Sequence, residues 1–265
     1  MADEVVVGID VAATRPCSAV ALRVGRVAEA FDWYEATAFL SRGARSAVEE
    51  LVAWAHGHRP AVVAIDAPQG FNRRLLVRPH PGRPVGSLPA SSLPVSARSR
   101  VCDYELLRRG LGVYQVPARA DVAAGRAQVP DWMAVGFRVF RRFGALGYEA
   151  PLGEGLPGAF GQSPALLEVY PYAAFVTLNG GLLARKSVRE GLRRRVQLLR
   201  EAGVRWDTQP ERHEEYYDHD SLDALAAALT AVRYLQGRAT AVGDAREGLL
   251  WLPVTAAELR QSYRA

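Results

Sequence analysis

Lysine is nearly missing from this chain. Of its 33 basic residues only Lys186 is a lysine; the rest are arginines. The formal net charge of +5 suggests an anionic partner. An arginine-for-lysine bias beside abundant alanine and glycine is also what base-composition pressure on a gene produces, so basicity alone decides nothing. Cysteine is scarce too. Cys17 and Cys102 give no disulfide framework and no metal-ligand spacing, and a reducing, cytoplasmic setting is the simplest expectation. No apolar run reaches the roughly 18 residues that cross a bilayer, so no membrane is expected as a partner. The acidic start, Met1 to Glu4, runs straight into a strand and is unlike a secretory signal. A Ser-His-Asp order, a nucleophile elbow and a Cys-His pair are likewise missing.

What is present is an ordinary globular composition, 49% hydrophobic and 23% charged over 265 residues, read here as one domain spanning the chain. Val5-Val6-Val7-Gly8-Ile9-Asp10 is a β-branched run closed by a carboxylate, the pattern of a buried central strand. Residues 17–24 and 26–33 follow through short connections and are expected to pair antiparallel with it. Val48, Leu51, Val52 and Ala55 place a helix over 44–56, ended by Gly57. Val62-Val63-Ala64-Ile65-Asp66-Ala67-Pro68 then repeats the acid-ended strand, and its arrival through a helix makes it parallel to the first. Three antiparallel strands, a helix and a parallel strand begin a ribonuclease H-like mixed sheet flanked by helices.

Residues 69–164 read as an insertion between the fourth and fifth core strands. Its first part, to residue 99, is rich in proline and too long for an ordinary connection. Helical spacing returns over 98–109 and in the apolar stripe from Trp132 to Leu146. A Gly/Pro loop fills 153–164. A third acid-bearing strand covers 166–170 and carries Glu168. Pro171 opens a helix that stops at Asn179-Gly180-Gly181. A basic amphipathic helix spans 187–201, a very apolar helix spans 220–236, and a hairpin spans 239–254.

An acid at the mouth of a buried strand is costly unless paired, protonated or metal-bound. Asp10 has no cation nearby in sequence, which leaves a metal ligand or a turn residue. Asp66 has the same two readings. Asp220 and Asp223 stand three apart on a helix and share one face; they suit metal binding, and they also suit an N-cap and capping box. His219 is either a ligand or proton shuttle, or a solvent-facing residue. Glu168 either joins the acids or pairs with an arginine of the insertion. Converging carboxylates would suit two Mg²⁺ or Mn²⁺ ions about 4 Å apart that activate water and stabilise the leaving oxygen of a phosphodiester.

Several of these motifs, in this order, resemble the DUF429 family: Gly8-Ile9-Asp10, Ile65-Asp66-Ala67-Pro68, Arg100 with Cys102-Asp103, Glu168-Val169-Tyr170-Pro171, Lys186 with Gly191 and Arg195, and His219-Asp220-Ser221-Leu222-Asp223-Ala224-Leu225. The family is predicted to contain ribonuclease H-like nucleases, and Asp-x-x-Asp-Ala-Leu also looks like the last helix of RuvC-type resolvases. The resemblance implies that Asp10, Asp66, Asp220 and Asp223 are catalytic metal carboxylates, although resolvases usually carry Glu where this chain has Asp66. It also implies site roles for Arg100, on a phosphate with Asp103 holding it, and for Lys186. The bland alternatives are an i,i+3 ion pair and an exposed loop lysine. The expected function is a metal-dependent nuclease acting on nucleic acid or a nucleotide. The alternatives are a non-catalytic protein that binds nucleic acid or an anion, and a phosphotransferase related to actin and the sugar kinases. Against the last stands the lack of a Gly-x-Gly loop after Asp10. Nothing in the sequence fixes an oligomeric state.

Overall fold

The computed structural model of the chain describes residues 4–34, 44–76, 98–152, 163–206 and 219–261. Most of the proline-rich stretch (77–97) and of the Gly/Pro loop (153–162) lies outside the described residues. An eight-stranded mixed sheet is built from β1 (Glu4–Asp10), β2 (Ser18–Val24), β3 (Ala28–Trp33), β4 (Val62–Asp66), β5 (Ala165–Val169), β6 (Val204–Arg205), β7 (Thr240–Asp244) and β8 (Gly248–Leu252), in the order β6-β3-β2-β1-β4-β5-β8-β7. β1, β2 and β3 are antiparallel neighbours, and β4 and β5 continue the sheet in parallel. This is the ribonuclease H-like topology that the strand-strand-strand-helix-strand order predicts. Two additions were not expected. The two-residue β6 extends the β3 edge, and the terminal hairpin joins the sheet through β8, parallel to β5.

Both faces of the sheet are covered, which is why its central strands are apolar at nearly every position. On one face Val7, Ile9, Val63 and Ile65 pack against α1 (Ala44–Gly57) and α4 (Asp131–Ala145). On the other, Val6, Val62, Ala64 and Leu167 meet α6 (Arg189–Glu201) and above all α7 (His219–Leu235). Successive side chains along a strand alternate between faces. Asp10 therefore shares a face with Val6 and Gly8, and Asp66 with Val62 and Ala64, so both acids look toward α7. Between β4 and β5 lie α2 (Val101–Leu107), α3 (Arg119–Ala123) and α4; α5 (Pro171–Asn179) follows β5, and α8 (Ala256–Gln261) follows the hairpin. No helix of the described residues is long and apolar enough to cross a membrane.

The closest contact between helix and sheet is at Gly8. A Cβ there would stand 2.2 Å from the Ala224 carbonyl oxygen and 2.3 Å from the Ala228 backbone nitrogen. Ala224, Ala227, Ala228 and Ala231 are fully buried and give α7 a stripe of small side chains. Glycine on the strand and alanine on the helix let the two backbones approach, and this brings the first turn of α7 to the end of β1.

Candidate functional site

The ends of β1, β4 and β5, the loop after β1, the start of α7 and the 183–187 segment surround one cavity of about 790 Å³. Asp10 closes β1 and lies beside Asp66 in the parallel register of β1 with β4. Asp10 is buried, and Arg15, five residues on, reaches back to it. One guanidinium nitrogen, Nη2, stands 3.3 Å from Asp10 Oδ2 and 2.7 Å from Asp220 Oδ1. The expectation that Asp10 lacks a nearby cation is therefore corrected: the loop through Pro16 turns Arg15 back over the strand end. Asp220 also lies 2.5 Å from His219 Nδ1. It is the second residue of α7 rather than a residue preceding it.

Asp223 bonds Lys186 Nζ at 2.7 Å. The lysine sits on a loop fixed from below. Arg195, buried in α6, donates from Nη1 to the carbonyls of Ala184 (3.0 Å) and Gly191 (2.8 Å). Gly191 lets the helix pass so close that a Cβ would fall 2.1 Å from the Arg185 carbonyl oxygen. Asp66 lines the cavity and receives no hydrogen bond or ion pair from the described residues.

The acids raise one another's proton affinity. Burial, and then the charges of Asp223 and Asp220, push Asp10 up to about 7 against the pull of Arg15. Burial, and then Asp10 and Asp223, hold Asp66 well above the usual carboxylate range, with Lys186 pulling the other way. Asp223 is also raised by burial, although Lys186, Arg195 and His219 oppose it. Among the described residues no three His, Cys, Asp or Glu side chains are arranged to hold a metal ion.

The Asp10 shift has a measurable consequence. The folded protein keeps a proton that the unfolded chain releases near pH 4, so this group's contribution to stability is full below that pH and is lost as pH rises to about 7. In metal-free protein, Asp10→Asn should match the parent's melting temperature near the lower limit and exceed it at and above the upper one. Parallel melting profiles for the two proteins across this window would contradict the shift.

Glu168 lines the same cavity, and its charge adds to the upward push on Asp66. It pairs in register with Ile65 rather than Asp66, so it leaves β5 on the opposite face of the sheet. There Arg100 grips it twice, Nη1 to Oε2 at 2.9 Å and Nη2 to Oε1 at 2.6 Å. The same guanidinium bonds Asp103 through Nε (3.0 Å) and Nη2 (2.9 Å). Glu168 also accepts the Gln69 N–H at 2.9 Å. All three side chains are buried, and Arg100, the expected phosphate ligand, has its guanidinium filled by carboxylates. The i,i+3 pair and the bond from Glu168 to an arginine of the insertion are both present, in one network on the cavity wall.

Sequence reasoning passed over Arg15 and Glu247. Glu247, in the β7–β8 turn, is buried and accepts the N–H of Arg73 (2.6 Å) and of Val101 (2.9 Å). One carboxylate thus holds backbone on either side of the 77–97 stretch. Arg15 could have been suspected from its place in a short loop after an acid-ended strand; no local pattern marks Glu247. Tyr114 and Trp132 also line the cavity; they meet edge to face at 5.3 Å, and Tyr114 is largely exposed.

Residues 8–247 match the family model described as "Protein of unknown function (DUF429)". No curated protein and no solved structure matches the chain.

Proposed function

This chain belongs to the DUF429 family, and from that premise and the geometry of the cavity we propose that it is a metal-dependent phosphodiester hydrolase acting on nucleic acid or a nucleotide. The observation that supports this reading is a group of neighbouring carboxylates at one cavity. Asp66 and Asp223 line it, Asp10 and Asp220 are joined to it through Arg15, and Asp10, Asp66 and Asp223 are all displaced upward despite Arg15 and Lys186. An all-oxygen donor set suits a hard divalent cation. Mg²⁺ commonly takes one or two carboxylates and completes its shell with water and substrate phosphate, so the donors fit without a compact cluster. Held by one or two of Asp10, Asp66, Asp220 and Asp223, Mg²⁺ or Mn²⁺ would supply an activated water and neutralise a leaving oxygen.

The remaining roles fall to the chain itself. Arg15 and Lys186 offer a planar fork and a point charge to phosphate oxygens. His219, bonded through Nδ1 to Asp220, would give a proton to the leaving oxygen. Tyr114 and Trp132 present ring surface to a base at the mouth. The Arg100–Glu168–Asp103 network positions the wall and touches no reacting atom.

A second reading, an anion-binding protein without hydrolysis, is favoured by the ion pairs that Arg15 and Lys186 already make with the acids. Calorimetric titration with Mn²⁺, with and without a short oligonucleotide, separates the two. Saturable uptake by the parent and its loss in Asp10→Asn supports the hydrolase. No uptake in either condition, with oligonucleotide binding that survives Asp10→Asn and weakens with salt, supports the second reading.

A further inference from the structure

A second cavity, of about 970 Å³, lies beside the first and is rich in arginine. It is lined by Arg73, Arg74, Arg119, Arg138, Arg141 and Arg246, with Phe71 and Phe137 between them. We propose that this groove binds a single-stranded nucleic-acid chain through its phosphates and bases, apart from the acid cavity. The proposal rests on the hydrolase reading only in expecting the bound strand to run on toward the acids.

The charges separate into two sets. Arg74 is buried and ion-paired with Asp121, and Arg246 is paired with Asp244 at 2.7 Å. Arg73, Arg119, Arg138 and Arg141 have no carboxylate partner among the described residues. They come from three elements: the segment after β4, α3 and α4. Guanidinium groups spread along a groove suit successive phosphates, whereas one small anion would need them to converge.

The loop carrying Arg73 is fixed in place. Arg74 sits at a positive φ of 57°, with its N–H on Asn72 Oδ1 at 2.5 Å. The Arg73 N–H is held by buried Glu247, and the Arg73 side chain is left outside, exposed. The aromatic component is just as definite. Phe71 and Phe137 meet at 4.8 Å with their planes tilted by 48°, and the Arg119 guanidinium lies over the Phe71 ring at 5.2 Å. Partly buried rings among arginines that have no carboxylate partner among the described residues are a platform for unstacked bases, which a single strand offers and a duplex hides.

The two cavities abut. Ala67 and Pro68 line the acid cavity, and the chain runs directly on to Gln69 through Arg74, which line the groove. On α4 the border falls between Met133 and Ala134.

The test is fluorescence anisotropy of a labelled oligothymidylate of about 20 nucleotides with the full chain and EDTA, from about 50 to 200 mM salt. Arg73→Gln/Arg119→Gln/Arg138→Gln should weaken binding about tenfold or more and flatten the log–log salt slope by about two. Arg26→Gln, between β2 and β3 and in neither cavity, should bind as the parent does. Unchanged binding in the triple arginine variant overturns the groove. So does an equal loss in Arg26→Gln, which would make binding a matter of net charge alone. Duplex binding as tight as single-strand binding, with no effect of Phe71→Ala, overturns the single-strand assignment. Binding that follows the arginines in a protein that takes up no Mn²⁺ supports the groove and removes the hydrolase reading, so the two fail separately.

Discussion

Arg100→Met is expected to cost about 3–5 kcal/mol of folding stability. Arg100 is 2% exposed, and its guanidinium is the shared partner of Glu168 and Asp103, themselves 2% and 3% exposed. Removing it leaves two carboxylates buried without their cation, and the cost of an uncompensated charge exceeds the net worth of the pair that held it. Arg100→Lys should recover little, because an ammonium cannot span two carboxylates with a planar fork. Adding Glu168→Gln to the methionine variant should return part of the loss by removing one stranded charge. Denaturant melts measure all three. A loss under about 1 kcal/mol, the worth of an exposed pair, would mean that the network is open to solvent.

Gly8→Ala is the second large effect, and it acts on the site as well as on the fold. The added Cβ would meet backbone atoms of α7 at 2.2, 2.3 and 2.8 Å, and backbone does not rotate away as a flexible side chain does. The helix must shift off β1. Overpacking of this kind costs about 3 kcal/mol or more when the neighbour cannot yield. Because α7 carries Asp220 and Asp223 and β1 carries Asp10, the same shift opens the distance between carboxylates. Mn²⁺ uptake should therefore fall with stability. Gly57→Ala, where nothing lies within 4 Å, is the matched control and should be close to neutral in both assays. A Gly8→Ala protein that melts with the parent would show that the strand and helix are held by something other than close backbone approach.

The fold was largely legible because its signals are local and mutually consistent. β-branched runs, Gly57, Pro171 and the Asn179-Gly180-Gly181 stop each mark an element where it is found. The two-residue β6 was invisible because nothing in Val204-Arg205 differs from a loop; pairing with β3 alone makes it a strand. The nearness of Asp10 to Asp66, and of Asp10 to Asp220 through Arg15, follows from acids ending two similar strands and from an acid pair at the start of α7. Of the two readings of Glu168, the pair with an arginine of the insertion is present, and the alternation of faces on β5 held the clue. Leu167 and Val169 pack toward α7 and Leu166 toward the opposite face, so residue 168 leaves the strand on that opposite face. Arg15 and Glu247 act across the chain's tertiary turns, and long-range partners of that kind leave no periodic trace in sequence.

The loop that Arg195 and Gly191 hold in place presents the chain's sole lysine side chain, 46% exposed, at the mouth of the acid cavity. Apart from the terminal amine, an amine-selective acylating reagent therefore has one side chain to find. Asp223, bonded to that ammonium, raises its pKa and so keeps the nitrogen protonated and poorly nucleophilic. Any ion or ligand that draws Asp223 away would release the nitrogen's lone pair. The composition bias that empties the surface of lysine thus leaves a single chemical handle, whose acylation rate reports what the neighbouring carboxylate is bound to.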